Sequence, residues 1–273
     1  MRPGFVLASL TTALAVLAGN ADAHDSWFAA LPRTDRGEAV FAFGTGNQFP
    51  VHEVSIPLAQ LASSGCQGES QRAAPMRWVG DRPIAMLLRS ARPVPSAAAL
   101  SCWAQLHPID IDIDNNTVEV YLKEVNALPA VRERWEALRA RGVRWQETYT
   151  KHARIELGAS GAGEPTAALP AAIAGLGLDL RLESYGPLRV GDTLRAQLLR
   201  DGQPLAGQPL ELRSDLSPVG IWRQTDAEGR ISVTVPLAAR WLLRGVELRA
   251  SERRADAWDS RFITLAFEVL PKR

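Results

Sequence analysis

The chain has four histidines, at positions 24, 52, 107 and 152, and the first stands where a processed terminus would turn it into a chelator. The residues before it, Ala21-Asp22-Ala23, read as an Ala-x-Ala cleavage site, so removal of the leader after Ala23 would leave His24 with a free α-amine. Such an amine has a pKa of roughly 8, well below that of lysine, and competes for a divalent cation near neutral pH. Together with the imidazole Nδ1 it closes a six-membered ring on the metal. Nitrogen donors of this kind suit copper and nickel best. One bidentate residue is an incomplete site. His107 and His152, on or at the ends of strands, are expected to approach it ahead of His52, which sits in a loop beside Glu53. Each of the three also reads as an ordinary histidine.

Other chemistry is thinner. Asp110, Asp112 and Asp114 alternate in PIDIDIDNN, which places three carboxylates on one face of a strand, but the Ca²⁺-loop pattern is absent and a half-solvated strand has the same look. No Gly-x-Ser-x-Gly, His-Glu-x-x-His, phosphate loop or dinucleotide fingerprint occurs, so no catalytic residue is assigned and a non-enzymatic role is expected. Cys66 and Cys102 are the two cysteines. In an exported chain a single disulfide is the favoured reading, with two separate buried thiols as the alternative.

These residues need a scaffold, and the sequence marks its limits. Residues 1–23 have a basic start, the short apolar run Phe5 to Ala18 and the Ala-x-Ala site, which together read as a signal peptide and place the mature protein in the periplasm. No later apolar stretch is long enough to span a bilayer. A net charge of +1 with scattered basic residues gives no electrostatic case for nucleic acid. The small, Pro/Gly-rich stretch 158–177 reads as a linker between a first domain, 24–157, and a second, 178–270.

Seven short runs in the second part point to a β-sandwich of immunoglobulin type: Leu178 to Glu183, Thr193 to Leu199, Pro209 to Arg213, Ile221 to Gln224, Ile231 to Val235, Val246 to Ala250 and Phe262 to Val269. Asp201-Gly202 and Asp226 to Gly229 read as turns between them. The first part is also read as mostly strand, with Ala39 to Phe43, Ile84 to Arg89, Leu100 to Leu106, Ile109 to Val120 and Tyr149 to Leu157 as its clearest pieces. One helix interrupts it over 129–141, where Pro129 starts the first turn and Val131, Trp135 and Leu138 recur at helical spacing. The expected class is thus mostly all-β.

Several of these segments resemble the NikM-like family, the domain of unknown function 4198. HDSWFAALP directly after the leader is similar to the family's opening, and FAFGTGNQFP to its Gly-containing strand and loop. VYLKEVNALPAVRERWEALRARG resembles its helical insertion, and ETYTKHARIELG its strand before the linker. RDGQPLAGQPLELR, RQTDAEGRISVTV and the closing AWDSRFITLAFEVLP resemble its C-terminal half. The likeness spans the mature chain and implies a periplasmic protein of two β-sandwich-like domains, the second transthyretin-like, linked to nickel or cobalt uptake. An outer-membrane receptor or an uptake-transporter component is the implied partner. Many members carry a histidine before the final Trp motif, where this chain has GVELRASERR, with Leu248 and Arg249 in that neighbourhood.

Three functions compete. One is a metal-binding accessory protein built on His24. Another is a receptor-associated or carbohydrate-binding module, favoured if tryptophans among Trp27, Trp78, Trp103, Trp222 and Trp258 are exposed. A copper monooxygenase would need a second histidine beside His24 and an axial aromatic such as Tyr149.

Overall fold

Short apolar runs cut by Gly, Pro and Asp turns make this a chain of strands. A computed structural model describes residues 24–68, 73–95, 98–157, 172–183 and 187–272. The first strands are β1 (Asp25–Leu31), β2 (Glu38–Gly46), β3 (Val54–Ser55), β4 (Leu61–Gly68), β5 (Ala74–Pro75), β6 (Arg77–Arg82), β7 (Ala85–Pro93), β8 (Leu100–Leu106) and β9 (Ile109–Ile113). Two helices follow, α1 (Asn115–Glu124) and α2 (Pro129–Ala140). The chain continues through β10 (Trp145–Leu157), β11 (Leu178–Leu182), β12 (Leu188–Arg189), β13 (Thr193–Arg200), β14 (Gln203–Pro204) and β15 (Pro209–Ser214). It closes with β16 (Ser217–Gln224), β17 (Arg230–Thr234), β18 (Ala239–Ala250) and β19 (Trp258–Leu270).

Among the described residues the strands form three sheets. A five-stranded sheet runs β1-β2-β7-β6 with β3 beside β2, and a four-stranded one runs β11-β13-β14 with β17 on β13. Between them lies a ten-stranded sheet, β16-β15-β18-β19-β10-β8-β4-β5, with β12 beside β19 and β9 beside β10. Its middle is a parallel pair, β10 with β19, in which Glu147 lies opposite Trp258 and Ile155 opposite Ala266. One sheet therefore joins the two halves of the sequence.

Strand alternation explains how both outer sheets find cover on it. Leu242 and Ala266 enter a core with Phe28, Phe41, Phe43, Met86 and Leu88, while their neighbours Leu243, Leu265 and Phe267 enter another with Leu178, Leu180, Leu194 and Ile231. The two small sheets thus pack on opposite faces of the central one, and β18 and β19 are buried on both sides. That is why Trp241-Leu242-Leu243 and Leu265-Ala266-Phe267 are apolar at successive rather than alternate positions.

A third core lies under the helices. Val118, Tyr121, Leu122, Val131, Trp135 and Leu138 pack on Trp145, Val246, Leu248, Trp258 and Phe262. Trp145 and Trp258 stack with centroids 4.6 Å apart, and Trp135 meets Trp145 edge-on at 5.2 Å. The strand expected over Ile109 to Val120 stops at Ile113, and a second helix takes its place. Asp114 ends the strand by capping α1: its carboxylate accepts the amides of Asn116 and Thr117 at 3.0 and 3.1 Å. The three aspartates do not share a task, since Asp110 accepts from Thr148 Oγ1 at 2.5 Å and lies 3.4 Å from Arg254.

Cys66 and Cys102 face each other across β4 and β8 and form a disulfide inside the first core. Of the expected linker, residues 158–171 lie outside the described residues, as do residues 1–23 with the cleavage site after Ala23.

Candidate functional site

His24 leads into β1, the edge strand of the five-stranded sheet. An edge leaves backbone carbonyls without ladder partners. Here side chains of the central sheet supply donors: Lys151 Nζ donates to the His24 carbonyl at 2.7 Å and Thr264 Oγ1 to the Ser26 carbonyl at 2.6 Å. Asp25 is buried and pairs with Arg244 at 2.5 Å. Arg244 in turn pairs with Glu211 at 2.9 Å and donates to the Glu124 carbonyl at 3.4 Å, which ties β1 to the end of α1. The first residues of β1 are held on three sides.

The His24 imidazole sits beside Glu53, with Nε2 3.7 Å from Oε2. Glu53 is fixed through its amide, which donates to the Thr45 carbonyl at 2.8 Å. The residue before it, His52, is buried; its ring lies 5.1 Å from that of Trp27, and Nε2 is 3.1 Å from the Trp27 carbonyl. Burial lowers the His52 pKa, so the ring is neutral and Nε2 donates to that carbonyl. This seat requires Gly44, because a Cβ there would fall 2.8 Å from the His52 ring. His52 is thus the anchor of the loop that brings Glu53 to His24.

Beneath the terminus, the Lys151 ammonium lies 5.5 Å from the Tyr149 ring and 5.9 Å from that of Phe262. Burial pulls its pKa down to about 8 against the attraction of Asp25. Tyr149 is pushed up by burial and then by Glu147, and keeps its proton. Glu147 is itself buried and raised by desolvation, and it accepts from Tyr121 Oη at 3.1 Å, Trp145 Nε1 at 2.7 Å and the Ser260 hydroxyl.

The histidines expected around His24 are placed elsewhere. Alternation along β10 turns Lys151 to the face that carries β1 and His152 to the other. There His152 is buried, donates from Nδ1 to the Phe262 carbonyl at 3.0 Å, and has Nε2 near Gly177. His107 is exposed beyond β8, its amide donating to Gln60. The neighbour that sequence ranked last, the His52-Glu53 loop, is the one at hand, because β2 returns it alongside β1. Among the described residues no group of three or more His, Cys, Asp or Glu side chains is placed to hold a metal ion. Leu248 is buried in the core under the helices, and Arg249 pairs with Glu252 at the surface.

Sequence reading missed Lys151, Asp25 and Arg244. Only Lys151 left a trace: it is one of three lysines in a chain whose other 28 basic residues, from a Lys+Arg total of 31, are arginines.

No family model matches the chain, and no curated protein matches it. Among solved structures, the D0-D1 domain of Intimin aligns over 88% of this chain and 97% of that one, at 8% identity and a TM-score of 0.19. At that score the likeness carries no argument.

Proposed function

We propose that this is a periplasmic, non-enzymatic metal-handling protein of the NikM-like kind, which binds nickel, cobalt or copper through the α-amine and imidazole of His24 after cleavage of the leader. In this reading it serves an uptake transporter or an outer-membrane receptor. The observation that carries it is Glu53 at 3.7 Å from His24 Nε2. A carboxylate there favours the tautomer with its proton on Nε2, so Nδ1 is the ring atom that would turn to the metal. In this reading one side chain and one terminus make the chelate, with Glu53 beside the ring.

The test is calorimetric titration of Cu²⁺ and Ni²⁺ into the protein beginning at His24 and into the same protein with one alanine in front. The extra residue turns the amine into an amide, and affinity should fall at least tenfold. Glu53→Gln should weaken binding about tenfold by loosening the ring. Equal affinities for the two termini, or no binding by either, overturn the reading.

A second reading has its own support. Val51 and Val54, at 58% and 55% exposure, flank the His52-Glu53 loop, and of the five tryptophans considered above only Trp78 is exposed. Apolar residues gathered beside the terminus favour a protein-docking module. Loss of receptor binding on Val51→Ser with metal affinity unchanged would support it.

A further inference from the structure

We infer that the aromatic cluster under the helices is a relay for oxidising equivalents: a one-electron oxidant at the surface takes an electron from Trp258, the hole passes to Trp145, and it comes to rest on Tyr121, whose proton moves to Glu147. The inference goes beyond the metal-handling reading and does not depend on it.

The rings form a connected path. Trp258 stacks on Trp145 with centroids 4.6 Å apart, and Tyr121 meets Trp145 edge-on at 5.9 Å. Trp135 of α2 meets Trp145 at 5.2 Å and gives a second way in. Between rings this close an electron tunnels far faster than a buried radical is quenched, and all four side chains are at 3% exposure or less. The outer end is Trp258, which begins β19 directly after the loop 251–257. It lies under the exposed Arg134, whose guanidinium is 5.8 Å from the ring centre.

Charge gives the path a direction. The Arg134 cation disfavours a positive charge on the Trp258 ring. At the inner end one Glu147 oxygen accepts from Trp145 Nε1 at 2.7 Å, and the other accepts from Tyr121 Oη at 3.1 Å and from the Ser260 hydroxyl. A carboxylate in the dry interior attracts a hole strongly. Burial also makes Glu147 a stronger base, because desolvation disfavours its charge.

Oxidation turns a phenol into a strong acid, so loss of an electron from Tyr121 sends its proton along the hydrogen bond to Glu147. The step balances: the oxidant gains one electron, Tyr121 becomes a neutral phenoxyl radical and Glu147 a carboxylic acid. A one-electron donor reverses it. At neutral pH tyrosine yields an electron and a proton together more readily than tryptophan, so the hole settles on Tyr121 rather than Trp145. It goes no further. Phe262 stands next, its ring centre 6.3 Å from that of Tyr121 and 6.0 Å from that of Tyr149, and an unsubstituted benzene ring is too hard to oxidise to pass it on.

The sequence has three tyrosines, at positions 121, 149 and 185, so the radical can be assigned without touching the relay. In a variant carrying Tyr149→Phe and Tyr185→Phe, any tyrosyl signal belongs to Tyr121. This variant is oxidised by a flash-excited ruthenium polypyridyl complex with a sacrificial electron acceptor. Transient absorption and electron paramagnetic resonance follow the radicals. A tryptophanyl signal should form first and give way to a tyrosyl, and the conversion should slow in heavy water because the proton moves with the electron. Adding Glu147→Gln, which keeps an acceptor oxygen but is no base, should abolish the tyrosyl and leave the tryptophanyl in its place. A variant that never shows a tyrosyl overturns the relay, and so does a tyrosyl with no tryptophanyl before it. A folded Glu147→Gln form that makes the tyrosyl at the same rate overturns the transfer to Glu147. If that form does not fold, an unchanged rate in heavy water overturns the transfer instead.

Discussion

His152 shows what a residue can be when its position in a strand is known as well as its type. It was expected near a metal, yet it lies on the face that packs toward β11, where burial holds its pKa at about 4. The Phe262 carbonyl, Asp179 and Asp201 favour the proton; Arg261 opposes it; desolvation outweighs them all. In the unfolded chain the imidazole returns to roughly 6.5. Above that pH neither state is protonated and the fold keeps its full stability. As the pH falls from 6.5 toward 4, the unfolded chain takes up a proton that the folded one refuses, and stability drops by about 3 kcal/mol. Glu147 and Glu156, both raised by burial, act in the opposite sense, since their contribution is lost as the pH rises past their unfolded values. The difference between variants is therefore the clean measurement. His152→Gln should flatten the slope of urea stability between pH 6.5 and 4.5 relative to the wild type, and parallel slopes would show that His152 is not the group responsible.

At the scale of the element, the α1 boundary turns on one side chain. Asp114→Ala removes the acceptor for the Asn116 and Thr117 amides, so those two amides should exchange with solvent markedly faster. Asp114→Asn, which keeps an acceptor, should restore most of the protection. Unchanged exchange in the alanine variant would place the cap elsewhere. The same residue shows why some elements were legible in the sequence and others were not. α2 was readable because Pro129 opens it and Gly142, with φ of 77°, follows its end. The hairpin at Asp201-Gly202 was readable because both residues favour positive φ, and both adopt it, at 49° and 79°. α1 was not, because Ile109 to Ile113 alternates cleanly and Val118 and Val120 prolong the β-like composition past the cap. Nor was the site. That Lys151 faces His24 and His152 does not follows from which face of β10 is covered by what, and strand pairing between residues 147–155 and 258–266 leaves no local mark.

The molecule as a whole depends on that long-range pair. A linker between two self-sufficient sandwiches would leave each half with its own sheets, and a fragment starting at Gly177 could then fold alone. In the structure the halves share a sheet, so such a fragment would keep β11 to β19 but lose the strand beside β19. It would expose the faces of Leu242, Val246, Leu248, Trp258, Phe262 and Ala266 that now meet the first core and the helices. It would also free Asp179, which is buried and accepts from Arg154 at 2.7 Å, an ion pair that joins β11 to β10. The core between β18/β19 and the sheet of β11, β13 and β17 remains whole within the fragment, so strand content should survive. What changes is the surface: a patch of six apolar positions on a sheet with an open edge is a template for association. A fragment of residues 177–272 should therefore show β circular dichroism, bind a hydrophobic dye and sediment as an oligomer. Adding the separately produced piece 24–157 should dissolve the oligomer and quench the dye signal, because that piece carries β10 and the sheet of β1 and β2. A fragment that stays monomeric and dark to the dye would mean that the second half closes its own faces, and that the shared sheet contributes little to its stability.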